Sequence, residues 1–190
     1  MRVFAATLFV LALASCAKEL PPPQSTLRFD GSPLRLDVAQ VEVITDYTSP
    51  LAKPNVEHLM PIPPAMAAKR WAEERLRPEG QQRVAKFTIL EGSVIEVPLQ
   101  KTGGIRGAFT TDQEFRFDAK LSVRLDILDE RAFRLGTATA EAVRSRSLPE
   151  KATLNQRDQL YYDLTSDLVK DIDAVMEKQI GDNLGRWLIR

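Results

Sequence analysis

Few side chains in this sequence could do chemistry. The chain of 190 residues has one Cys, Cys16, and one His, His58. A Ser-His-Asp triad would have to use His58, and no Gly-x-Ser-x-Gly turn is present to carry its serine. Zinc sites draw on several Cys or His, and neither a Cys pair nor a His-Glu-x-x-His run occurs. Asp and Glu do not fall at calcium-loop spacing. Thr102-Gly103-Gly104-Ile105-Arg106-Gly107 is rich in glycine, but it lacks Gly-Lys-Ser/Thr and leads into a strand. It therefore has no helix N-terminus to meet a phosphate. Paired carboxylates remain. Glu73-Glu74 and Asp171/Asp173 could serve a hydrolase of the glycosidase type, which needs only two acids in a cleft. Their helical setting reads them more simply as solvated surface charges. The expectation is a protein that is not an enzyme and holds no metal or cofactor, with a carboxylate hydrolase as the third-ranked reading.

Composition narrows the class further. Lys+Arg and Asp+Glu are 26 each, so the net charge is zero. A general nucleic-acid binder would carry a basic excess to meet phosphates, so no nucleic-acid partner is expected. At 44% hydrophobic and 27% charged, the chain can bury a core, and its length suits one domain.

Cys16 gains its meaning from what precedes it. Met1-Arg2 is a short positive start, and Val3 to Ala14 is apolar except for Thr7. A membrane-spanning helix needs about 20 apolar residues, whereas a secretory signal needs about 7–15. Leu13-Ala14-Ser15-Cys16 then resembles the lipobox of bacterial lipoproteins at every position. That resemblance implies cleavage before Cys16, a diacylglycerol on its thiol and a fatty acyl group on its new amine. Palmitate-type chains on Cys16 would anchor the protein to a membrane without spanning it. Ala17, where an Asp would retain the lipoprotein in the inner membrane, favours the outer membrane. The expected location is the cell envelope, facing the periplasm. The division that follows is residues 1–15 as signal peptide, 16–33 as lipidated Cys and Pro-rich tether, and 34–190 as one domain. Pro21-Pro22-Pro23 makes the tether a semi-rigid polyproline spacer.

The domain is legible mainly through periodicity. Leu34, Leu36, Val38, Val41 and Val43 predict one strand over 34–45, with a change of parity midway. Ala65 to Arg77 predicts a helix with an Ala68–Trp71–Ala72–Arg75 stripe, stopped by Pro78 and Gly80. Val84 to Leu99 predicts a strand bent at Gly92. Phe115 to Ile127 alternates apolar and polar residues throughout, and Phe133 to Ser147 returns beside it as a hairpin. With Glu130-Arg131 as the loop, Ala138, Ala140 and Ala142 face Val123, Leu121 and Ala119, and Glu141 faces Lys120. A bulge is expected at Gly136. Thr153 and Gln156 form a capping box for a long amphipathic helix through Leu164, Leu168, Ile172 and Met176. The predicted fold is α+β and two-layered, βαβββα. A mostly antiparallel four-stranded sheet carries both helices on one face, the second long and C-terminal.

Two surfaces are candidate contact sites. Residues 46–62 carry five prolines' worth of irregular chain up to Ala65 if Pro63 and Pro64 are included, and they hold Tyr47, Leu51, His58, Leu59, Met60 and Ile62. A long loop without a hydrogen-bonding ladder carries so many apolar groups when they cover the core or meet a partner. Arg144 and Arg146 could bind anionic headgroups, or could simply end a solvated strand. The element order over 34–189, behind a lipobox, resembles the lipoprotein that plugs the lipopolysaccharide-assembly barrel. It is also similar to the auxiliary lipoproteins of phospholipid-type ABC transporters. The resemblance implies an accessory or assembly component of an envelope complex, working through protein contacts with an envelope protein. The alternative is a carrier or sensor of a lipid or other apolar ligand held between sheet and helices.

Overall fold

The computed structural model describes residues 27–29, 31–99, 113–149 and 151–189. Cys16, the lipobox and the Gly-rich segment 102–107 lie outside the described residues. The elements are β1 (Leu34–Leu36), β2 (Gln40–Thr45), α1 (Pro64–Arg75), β3 (Leu76–Pro78) and β4 (Val84–Glu91). They continue with β5 (Val94–Pro98), β6 (Gln113–Leu128), β7 (Arg134–Pro149) and α2 (Leu154–Leu184).

β6 organises the sheet. Its odd side chains Phe117, Leu121, Val123, Leu125 and Ile127 are buried, each contributing about 1.5–3 kcal/mol by leaving water. Its even side chains point to the other face, where opposite charges alternate. Arg116 pairs with Asp118 at 2.8 Å, and Arg124 and Arg134 reach Asp126 at 2.9 and 3.0 Å. Both helices lie on the odd face. Trp71 of α1 meets Phe87 of β4, ring centroids 5.4 Å apart, and Tyr161 of α2 meets Phe117 edge-on at 5.2 Å. α2 lies mainly over β7 and also packs on α1. The small side chains of Ala138, Ala140 and Ala142 are buried, which lets the helix approach the sheet closely. The Thr153–Gln156 capping box forms in both directions.

The α+β class and the two helices match the sequence expectation, but the sheet differs from it. It has five strands rather than four, and its orientation is mixed: every pairing is antiparallel except that of β2 with β4. β2 runs parallel to β4, with α1 as the crossover between them. β4 and β5 are two strands set end to end along β6, both antiparallel to it. They part at Gly92, where a Cβ would stand 2.9 Å from the Ala65 Cβ. The start of α1 therefore packs against the break.

The single strand expected over 34–45 is also two strands. β1 pairs parallel with β3 in a separate two-stranded sheet. The change of parity between Val38 and Val41 marks that separation. β1 is tied on its other side to the end of the chain. Leu36 bridges Leu188, Asp37 N–H donates to the Trp187 carbonyl at 2.7 Å, and Ile189 N–H donates to the Arg35 carbonyl at 2.8 Å.

The hairpin register is shifted from the expected one. Ala142 lies opposite Leu121, Ala140 opposite Val123 and Glu141 opposite Ser122. The turn is wider than Glu130-Arg131. Asp129 Oδ1 accepts the N–H groups of Arg131 and Phe133, both at 2.9 Å, and Ala132 adopts φ 62°. Lys120 and Glu141 still pair, diagonally, at 3.1 Å. The expected bulge is on β7 beside Gly136: Gly136 pairs with Ile127 and Arg134 with Leu128, which leaves Leu135 as the extra residue. Gly136 is required for another reason: a Cβ there would stand 2.6 Å from Trp187 Cζ3 and 2.7 Å from Leu184 Cδ2.

Candidate functional site

The loop between β2 and α1 is built around one carboxylate. Glu57 sits in a short 3-10 turn and is only 2% exposed. Oε1 accepts the hydroxyls of Tyr47 at 2.7 Å and Ser49 at 2.5 Å. Oε2 accepts the Val94 N–H at 3.1 Å and the Asn55 side-chain amide at 3.4 Å. Burial alone would raise this carboxyl's pKa. The bonds from Ser49, Tyr47 and Val94 outweigh it and hold the group below its ordinary value, since they favour the charged form. Burial, together with the bond to Glu57, pushes the Tyr47 phenol far above the ordinary range.

Backbone bonds fix the rest of the segment. Val56 N–H donates to the Val94 carbonyl and Glu96 N–H to the Pro54 carbonyl, both at 2.8 Å. Residues 54–56 therefore run along the outer edge of β5 and cover it. Lys53 adds an ion pair to the nearly buried Glu96 at 2.7 Å. At the far end the Thr165 hydroxyl of α2 donates to the Ile62 carbonyl at 3.0 Å.

These bonds divide the candidate contact residues in two. Met60 and Ile62 are buried at 5% and 4% exposure and belong to the core, as does Val56. Leu51 and Leu59 project into solvent at 68% and 58% exposure, and His58 is exposed beside them. Leu51 sits at φ 55°, a left-handed conformation unusual for a branched side chain. Tyr47 is half-buried and serves Glu57 rather than the surface.

Arg144 and Arg146 stand apart from this loop. They follow Ala142 on the helix side of β7, and each reaches an acid of α2. Arg144 lies 2.6 Å from Asp171, and Arg146 pairs with Asp167. Each guanidinium is thus already matched by a carboxylate. The carboxylate pairs do not converge. Asp171 turns to Arg144, whereas Asp173 turns to α1 and accepts from Trp71 Nε1 at 2.7 Å and Arg75 Nε at 2.8 Å. Glu73 lies 3.9 Å from Lys69 and Glu74 is exposed. The strip of Ala138, Ala140 and Ala142, where the carrier reading places its ligand, is occupied by α2.

Reading the sequence for apolar loop residues missed Glu57, which holds the loop together. The available signal was a cluster of hydroxyl and amide donors, Tyr47, Ser49 and Asn55, around one acid. Arg75 was placed on the α1 stripe, but its ionic role was not read from the sequence. It lies on the inward stripe of α1 with a side chain 2% exposed, bonded to Asp173, to Glu177 at 3.0 Å and to the Ser32 carbonyl.

No family model matches the chain, and no curated protein matches it. Among solved structures the chain is similar to a minor lipoprotein from Acinetobacter baumannii, with 16% identity and a TM-score of 0.40. That match covers 82% of this chain and 98% of the other. A Xanthomonas campestris protein of the family model DUF330 is similar at 4% identity and TM-score 0.32, covering 82% of this chain and 90% of its own. The PelC dodecamer from Paraburkholderia phytofirmans gives 13% identity and TM-score 0.23, covering 77% of this chain and 95% of its own.

Proposed function

We propose that the chain is a non-catalytic lipoprotein, anchored through Cys16 and acting by protein contacts as an accessory or assembly component of an envelope complex. The contact surface is the outer side of loop 46–62, with Leu51, Leu59 and His58 as its contact residues. The observation that carries this reading is the pairing of exposure with rigidity. Leu51 and Leu59 are held out of the core on a segment pinned by Glu57 and by the bonds to β5. An apolar group presented on an ordered loop loses little conformational entropy on binding. Leu13-Ala14-Ser15-Cys16 supports the anchor, and Ala17 supports delivery to the outer membrane, facing the periplasm. The divergent carboxylates Asp171 and Asp173 support the non-catalytic part.

The test separates the two halves of the loop. Leu51→Ser combined with Leu59→Ser should change stability by no more than about 0.5 kcal/mol per site, as for exposed positions. The same double variant should lose the envelope proteins cross-linked to the wild type in native membranes. Met60→Ser should cost about 1.5–3 kcal/mol and keep those cross-links in the fraction that stays folded. An unchanged cross-linking pattern in the double variant would refute the contact surface.

A further inference from the structure

The two sides of the main sheet are finished differently. On one side, residues 54–56 lie along β5 and bond to it. On the other side, β7 runs sixteen residues from Arg134 to Pro149 and pairs only with β6 among the described residues. Long free edges present rows of unpaired N–H and C=O groups. Proteins usually blunt such edges with prolines, bulges or projecting lysines. From Thr137 to Val143 this edge reads Thr-Ala-Thr-Ala-Glu-Ala-Val, with no proline, lysine or arginine, and its ladder to β6 is regular there. Its one charge, Glu141, is matched by Lys120. The next cations along the strand, Arg144 and Arg146, are drawn onto Asp171 and Asp167 of α2.

We infer that the outer edge of β7 is a docking site for a bare, uncharged, extended segment of another protein, which adds as a further strand beside residues 137–143. The position of α2 selects this occupant. Strands in a sheet lie about 4.8 Å apart, whereas packed helices need 8–10 Å between axes. α2 lies mainly over β7. A second copy pairing antiparallel through its own β7 would place its α2 on the same face, too close to the first. A segment without a helix on that face meets no such clash. The overhang of α2 also favours small residues on the side of the added strand that faces the helix. The open face beside Thr137, Thr139 and Val143 accepts β-branched ones. Neutrality of the edge disfavours a charged segment. This surface is separate from Leu51 and Leu59 and does not depend on them.

The test uses the full-length chain in detergent micelles and an end-blocked peptide, Thr-Ala-Val-Ala-Thr-Ala-Thr. Amide hydrogen exchange is followed residue by residue. Without peptide, alternate amides of β7 should exchange fast. With peptide, those amides should become protected. Thr139→Lys with Val143→Lys, both at exposed positions, should abolish that protection while the chain stays folded, with a melting temperature lowered only slightly because the new lysines face Arg124 and Lys120. A peptide with Leu in place of each Ala should protect less. Slow exchange of all β7 amides in the free chain would overturn the proposal. So would protection that survives the double lysine variant, or protection that appears without peptide and grows with the chain's own concentration.

Discussion

The Tyr47 hydroxyl donates to Glu57 Oε1 at 2.7 Å across ten positions of irregular chain. That bond and its three companions turn a proline-rich connection into a fixed surface. They also make the loop acid-sensitive. The folded carboxyl lies below its ordinary value of 4.5. A depressed carboxyl contributes stability that is complete above the unfolded pKa and disappears as pH falls through the folded one. The difference in melting temperature between wild type and Glu57→Gln should therefore be largest near neutrality and should shrink below pH 4.5. Thermal melts of both proteins from about pH 7 to about pH 3 measure it. A difference that does not vary with pH would mean that Glu57 is not held ionised by its partners.

Leu121 and Ser122 are neighbours on β6 with opposite fates. Leu121 is fully buried, so Leu121→Asp places an unpaired charge in the core and should cost several kcal/mol. Ser122 lies opposite Glu91 on one side and Glu141 on the other. Ser122→Lys should therefore be neutral, or stabilising by roughly 0.2–1 kcal/mol. Chemical denaturation of both variants checks the ordering, and reversed effects would refute the assignment of faces.

Arg75 should be the most sensitive ionic position. Arg75→Met removes the side-chain donor to the Ser32 carbonyl and the cation paired with the partly buried Asp173. Breaking a buried pair on one side costs about 3–5 kcal/mol. Asp173 keeps some solvent and the Trp71 bond, so a loss near the lower figure is expected. A double-mutant cycle with Asp173→Asn should show strong coupling, because both changes remove the same interaction. Additive effects would place the cost elsewhere.

Cys16→Ser should abolish acylation, since a hydroxyl is a poor substitute for the thiol nucleophile. Cells fed an alkynyl fatty acid should label the wild type only. Equal labelling of both would remove the lipid anchor from the proposed function.

Local patterns carried the parts of the fold that depend on local chemistry. The alternation from Phe115 to Ile127 named the buried face of β6 correctly. Thr153 and Gln156 marked the start of α2, because both halves of a capping box lie within one turn. Non-local pairings left no such trace. Nothing in Gln40–Thr45 states that its neighbour is Val84–Glu91 running parallel, since a parallel partner is chosen through the crossover and its packing. The hairpin register depended on the Asp129 side chain widening the turn, a side-chain effect that strand periodicity does not contain. Within the loop, hydrophobicity alone could not separate Leu59 from Met60. Adjacent residues of similar character point apart because the 3-10 turn at Glu57–Leu59 sets their directions.

β1 has a mechanical consequence. It is bonded to β3 on one edge and to residues 187–189 on the other. The Ser32 carbonyl just before it is held by Arg75. A pull applied ahead of Leu27 meets the packing of Leu27 and Phe29 on the core first, the Arg75 bond to the Ser32 carbonyl second and β1 third. The load then divides between the end of α1, through β3, and the end of α2, through Trp187. If the proposed anchor at Cys16 pulls on the domain, the load is therefore shared by both helices before it reaches β6.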